Sequence, residues 1–267
     1  MKPGPVPGDD HVALVFGGRS PIAIACALEL AKVQDVVLVT RRVDEILRKE
    51  VSGGTSRLTL VPADLAVAGT GRDVAHAIYS SGRQINAAVF LQRYRPDGPP
   101  QYADHAAVEL WSIEETLKEI SRLKHANFAV QALVSSSPAA EKVVVDQDLA
   151  YHIVKAGQEA LVRFMAVELA RHRIRVNAVQ IGSVVLKERA RDYWDSIPEV
   201  VKDLRRLTPE GSLLTSGDVG RLVAELALNT PTFTGATLRL DGAMGLRDGV
   251  QLAKLALEDV SSNPAAK

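Results

Sequence analysis

AYHIVKAGQEALVRFMAVELARHRIRVN, residues 150–177, carries the densest local chemistry in the chain. Tyr151 and Lys155 stand four apart, so on a helix a phenol and an ammonium project from one face, a turn from each other. A free tyrosine titrates near pH ~10, too high for a useful acid or base at neutrality, and a neighbouring ammonium favours the phenolate. Such a pair can trade protons with a carbonyl or an alcohol. Taken alone, the spacing describes a solvated lysine beside a half-buried tyrosine equally well. The flanks narrow the choice: Val130–Ser137 (VQALVSSS) reads as a buried strand ending in three hydroxyls, and Ile174–Gln180 (IRVNAVQ) as a further strand.

The chain before this half has a matching design. Val12–Phe16 (VALVF) is a continuous apolar run, as a strand covered on both faces requires, and Gly17-Gly18-Arg19-Ser20-Pro21 follows at once. Ile22–Lys32 is apolar nearly all round and predicts a buried helix. A strand, a glycine turn and a helix N-terminus form a phosphate site, because backbone N–H groups and the helix dipole both favour an anion there. Val36–Thr40 is the next predicted strand, and Arg41-Arg42 follow it, where a doubly wound fold meets the adenosine ribose. A basic residue at that point selects a 2′-phosphate, and Arg19 in the turn reaches for the same group, so NADP(H) is expected over NAD(H). The alternative is a solvated surface pair.

At 267 residues with 46% hydrophobic content, the chain has the length of one large α/β domain. Thirty-two basic and 32 acidic side chains cancel, which gives no field toward nucleic acid or an anionic membrane and leaves a small-molecule substrate as the expectation. Cys26 is the single cysteine, so no internal disulfide exists, and no metal-ligand spacing is present. The reading is a cytoplasmic protein with a flexible arm over residues 1–10, one domain over 11–250 and a tail over 251–267.

The order of strand, serine, loop, Tyr-x-x-x-Lys helix and strand resembles the short-chain dehydrogenase/reductase family, and the likeness extends over almost the whole chain. Phe233–Ala243 (FTGATLRLDGA) is similar to the family's closing strand, and Asn177-Ala178 with Gly182 echo its Asn-x-[IV]-x-P-G. The resemblance implies a Rossmann-like, doubly wound parallel sheet of about seven strands, with a variable lid over about 184–216 containing Tyr193 and Trp194. It implies hydride transfer between NADPH and a carbonyl or secondary alcohol, and a homodimer or homotetramer. Tyr151 would be the proton donor, Ser136 or Ser137 the hydroxyl that steadies the reacting oxygen, with Ser136 preferred, and Lys155 a partner of the tyrosine and the nicotinamide ribose. Gly17, Arg19, Ser20, Ile22 and Arg41 would hold phosphates, Asp64 and Leu65 the adenine, and Gly182 and Val184 the nicotinamide.

The departures are equally specific. Pro21 and Ala23 stand where the family's later turn glycines would be, and Gln92-Arg93-Tyr94-Arg95 continue where it shows Asn-Asn-Ala-Gly. The family's helix asparagine is missing; Glu109 stands near its place, either as a carboxylate partner for Lys155 or as an ordinary helix residue, and Ser112 is a rival alignment. Two alternatives stay open. Ser20-Pro21-Ile22-Ala23 is similar to the Ser-Ile-Ala of divergent enoyl carrier-protein reductases, which space their Tyr and Lys further apart. The other is a protein of this fold without redox turnover.

Overall fold

The computed structural model describes residues 10–52, 56–95, 101–144, 147–182, 185–186, 191–229 and 232–262, and its apolar runs become strands, the central ones mostly buried on both faces. The strands are β1 (His11–Phe16), β2 (Asp35–Thr40), β3 (Leu58–Pro62), β4 (Gln84–Phe90), β5 (Val130–Ser136), β6 (Ile174–Ile181), β7 (Val185–Leu186), β8 (Leu214–Thr215) and β9 (Thr237–Leu240). Seven form one sheet in the order 3-2-1-4-5-6-9, every neighbour parallel, and β7 pairs with β8 apart from it. The fold is the Rossmann-like doubly wound sheet that the sequence predicts. Between β1 and β4 the strand order reverses, and in such sheets a crevice opens there, beyond the carboxyl ends of the strands.

The helices are α1 (Pro21–Ala31), α2 (Glu45–Ser52), α3 (Thr70–Ser80), α4 (Tyr102–Ala106), α5 (Ser112–Leu123), α6 (Leu149–Leu169), α7 (Arg191–Asp195), α8 (Pro198–Leu207), α9 (Ser216–Leu228) and α10 (Gly249–Ser262). Alternate residues of β1 serve opposite layers, as the pleat demands. Val12, Leu14 and Phe16 pack with Ile78 of α3, Leu117 of α5 and Met165 of α6. Ala13 and Val15 pack with Leu30 of α1 and Val223 of α9. The contact of α9 with α1 needs a glycine, since a Cβ on Gly220 would lie 2.5 Å from the Cβ of Ala25.

Two predicted stretches take another form. The apolar-periodic stretch 106–123, which by itself predicts one long helix, is interrupted: α4 and α5 are joined by a π-helical turn over Ala107–Trp111. Residues 249–262, read mostly as tail, form α10, and Arg206 of α8 donates to the Leu255 carbonyl at 2.6 Å.

Candidate active site

The crevice is a cavity of about 1000 Å³. It runs from the turn after β1 to the first turns of α6, and it brings together Gly17, Arg19, Ser20, Ile22, Arg41, Asp64, Leu65, Ser136, Ser137, Tyr151, Lys155 and Gly182. Val184 lies outside the described residues, as do residues 187–190 of the expected lid. Tyr193 and Trp194 also line the cavity.

At the phosphate end, Gly17 has φ +98°, and a Cβ there would meet the Leu91 carbonyl carbon at 2.6 Å. The turn therefore needs glycine for both conformation and space. The amides of Gly17 and Gly18 donate to the Val39 carbonyl, and Ser20 N–H returns to Gly17 O at 2.7 Å. Ser20 is the N-cap of α1, but its hydroxyl caps nothing, and Pro21 fills the first helical position. The N-terminus of a buried helix is thereby left facing the cavity, a fit for a diphosphate despite the missing glycines. Arg19 is drawn to Asp44 in an ion pair. The Leu47 amide and then Arg19 hold the Asp44 carboxyl below its ordinary range. Arg41 is exposed at the end of β2, with no hydrogen-bond or ion-pair partner among the described residues.

At the other end, the Asp148 carboxylate caps α6 by accepting from Tyr151 N–H at 2.7 Å. This starts the helix so that Tyr151 and Lys155 face inward, 9% and 3% exposed. The Lys155 ammonium is 5.4 Å from the Tyr151 ring centroid. It donates to Glu109 Oε2 at 2.9 Å and to Gln158 Oε1 at 2.9 Å. Gln158 in turn donates to the Glu109 carbonyl at 3.0 Å, which closes a ring of contacts. The π-helical turn buries Glu109 completely, and its Oε1 accepts from Tyr94 N–H at 3.0 Å. Of the two readings of Glu109, the carboxylate partner of Lys155 is the one observed. Ser112 gives its hydroxyl hydrogen to Val108 O.

The serines divide unexpectedly. Ser136 donates to Glu159 Oε1 at 2.7 Å, and Gln180 donates to the same oxygen at 3.1 Å. Ser137 accepts from Ala139 N–H at 3.3 Å, and its own hydrogen goes to no described residue. Gln158 and Glu159, absent from the sequence reading, follow Lys155 by three and four positions, the spacing that shares its face. Arg93 was also missed as a neighbour of the tyrosine. Its guanidinium carbon lies 4.1 Å from the Tyr151 ring centroid, and its Nη2 donates to Gln147 at 2.5 Å.

The sequence profile of a family described as Enoyl-(Acyl carrier protein) reductase matches residues 17–244. A tetrahydroxynaphthalene reductase of Pestalotiopsis fici is 25% identical, with 86% of this chain and 90% of that protein covered. An A-factor type gamma-butyrolactone 1′-reductase (1S-forming) of Streptomyces virginiae is 26% identical over 87% of this chain and 95% of its own. Among solved structures, a 3-oxoacyl-[acyl-carrier protein] reductase from Brucella melitensis in complex with NAD superposes with a TM-score of 0.75 at 25% identity, covering 91% of this chain and all of that one. With its sheet order, its Tyr-x-x-x-Lys helix inside the crevice and this set of relatives, the chain belongs to the short-chain dehydrogenase/reductase family of oxidoreductases.

Proposed function

We propose that the protein is an NADP(H)-dependent ketoreductase or alcohol dehydrogenase acting on a small molecule with an apolar body. The observation that carries this reading is the convergence of Tyr151, Lys155 and two serines with a phosphate-binding turn in one cavity. The dinucleotide, when bound, supplies or accepts the hydride. The Gly17–Ile22 turn would hold its diphosphate, Arg41 its 2′-phosphate, Asp64 and Leu65 its adenine, and Gly182 its nicotinamide. Lys155 has three N–H donors, two committed to Glu109 and Gln158, so the third serves the nicotinamide ribose.

Tyr151 gives its proton to the developing alkoxide, or takes one from the alcohol in the reverse direction. A second hydrogen bond to that oxygen needs a donor. Ser136 has committed its hydrogen to Glu159, so Ser137 replaces it in this role. Tyr193 and Trp194 give the cavity apolar surface. The four-residue spacing of Tyr and Lys favours carbonyl over enoyl chemistry, and the solved relative from Brucella melitensis is named a 3-oxoacyl-[acyl-carrier protein] reductase. A cytoplasmic homodimer or homotetramer fits the balanced charge and the family.

The stacking of Arg93 on the Tyr151 ring favours one second reading, a protein of this fold without redox turnover. Titration with NADPH and NADH, followed by nicotinamide fluorescence, separates the two. NADPH is expected to bind at least about tenfold more tightly than NADH, and Tyr151→Phe is expected to keep that binding while losing about 10²–10⁴ of turnover. Binding of neither dinucleotide establishes the second reading.

A further inference from the structure

Resting on the reductase reading, we infer that Arg93 and Arg95 form an anion subsite beside Tyr151, and that the substrate carries a carboxylate or a phosphate monoester close to its reacting carbonyl. Both arginines line the cavity. Tyr94 between them is fixed twice: its N–H is held by Glu109, and its hydroxyl donates to Asp104 at 2.9 Å. Its ring also meets His105 edge-on, with centroids 4.9 Å apart. The backbone between the two arginines is thus fixed at the cavity wall, which lowers the entropic cost of presenting both guanidiniums there.

The charge balance at this end is uneven. Glu109 neutralises Lys155, Asp104 is occupied by Tyr94, and Asp64 lies at the adenine end, capping its own loop through Ala66 N–H. Among the described residues neither Arg93 nor Arg95 has a carboxylate partner; Arg93 has only the neutral Gln147 amide and the face of Tyr151. Partial burial, and then the like charge of Arg93, pull Arg95 below its ordinary pKa, while Tyr151 and Glu109 pull the other way. Two guanidiniums of like charge lining one cavity, beside a proton-transferring tyrosine, are relieved by an anion bound among them. Their planar forks suit a carboxylate or phosphate oxygen pair.

Calorimetric titration of the full chain with octanoate, octyl phosphate and octanamide tests the inference, on the unaltered protein and on Arg93→Gln/Arg95→Gln. At least one anion should bind about tenfold or more tightly than the amide. The preference should fall below about threefold in the double variant. Matched melting temperatures verify that the variant is folded, and NADPH affinity is measured on the same samples. Equal binding of the three probes, or a preference that survives the double substitution, overturns the subsite. So does a loss of NADPH affinity in the variant without any anion preference in the parent, because the guanidiniums then serve cofactor phosphates. An anion preference that depends on the two arginines, in a protein that binds no NADPH, supports the subsite and removes the reductase reading instead. The preference of octanoate against octyl phosphate identifies which anion the subsite fits.

Discussion

At the phosphate end of the cavity the backbone holds the shape, with Gly17 pressed against the Leu91 carbonyl carbon and the first turn of α1 directed at the crevice. At the tyrosine end buried side chains hold it, as Glu109, Lys155 and Gln158 tie the π-helical turn to α6. Gly17 apart, the first end tolerates substitution, because a backbone N–H can come from almost any residue; a proline and an alanine stand there without undoing the turn. The second end depends on three side chains matching at once. The two ends should therefore fail differently under mutation: stability and turnover together at the tyrosine end, cofactor selectivity alone at the phosphate end.

The largest expected effect is that of Glu109→Ala. Removing one partner of a buried ion pair leaves Lys155 uncompensated, at a cost of about 3–5 kcal/mol. It also orphans the Tyr94 N–H, which Glu109 accepts at 3.0 Å. Urea unfolding checks the size, and Glu109→Ala/Lys155→Ala should recover part of the loss, since no charge is then stranded. A loss under about 1 kcal/mol would mean that water reaches the pair, and would erase the contrast between the two ends.

A smaller effect is expected within the tyrosine end itself. Ser137→Ala should lower kcat about 10²-fold, as removal of one oxyanion donor does, while Ser136→Ala should lower it less than about tenfold. The reason is that Ser136 already serves Glu159. Steady-state kinetics of both variants decide between the hydroxyls, and the reverse order would return the role to Ser136.

The same division explains what was legible in the sequence. Strands buried on both faces must be continuous apolar runs, so VALVF and VVLVT announced β1 and β2, and the glycine turn announced the crevice. Tyr151 and Lys155 were legible because their relation is local, one turn of a helix. Glu109 lies 46 residues from Lys155, and only the fold shows that the π-helical turn directs it inward. The choice between Ser136 and Ser137 depended on Glu159, 23 residues on, and helical spacing gives its face but not its partner. Arg19 lines the cavity, but its ion pair with Asp44, 25 residues away, was equally hidden from local spacing. Local periodicity encodes elements; pairings across them become visible only once those elements are packed.

The smallest effect belongs to the phosphate end. Arg41 is exposed and lines the cavity at the end of β2, so the attraction to a 2′-phosphate proposed for it would be screened by water and salt. Arg41→Asp replaces that attraction by repulsion, and the ratio of NADPH to NADH affinity should fall about tenfold, with no change in urea midpoint because the side chain packs against nothing buried. Arg19→Ala should change the ratio less than about threefold, since Asp44 competes for that guanidinium. Raising salt should shrink the Arg41 effect but leave the cost of Glu109→Ala almost untouched, because screening acts on exposed charges and spares buried pairs. If both effects shrank together, the ion pair of Lys155 would be as wet as Arg41, and the two ends would differ in position rather than in kind.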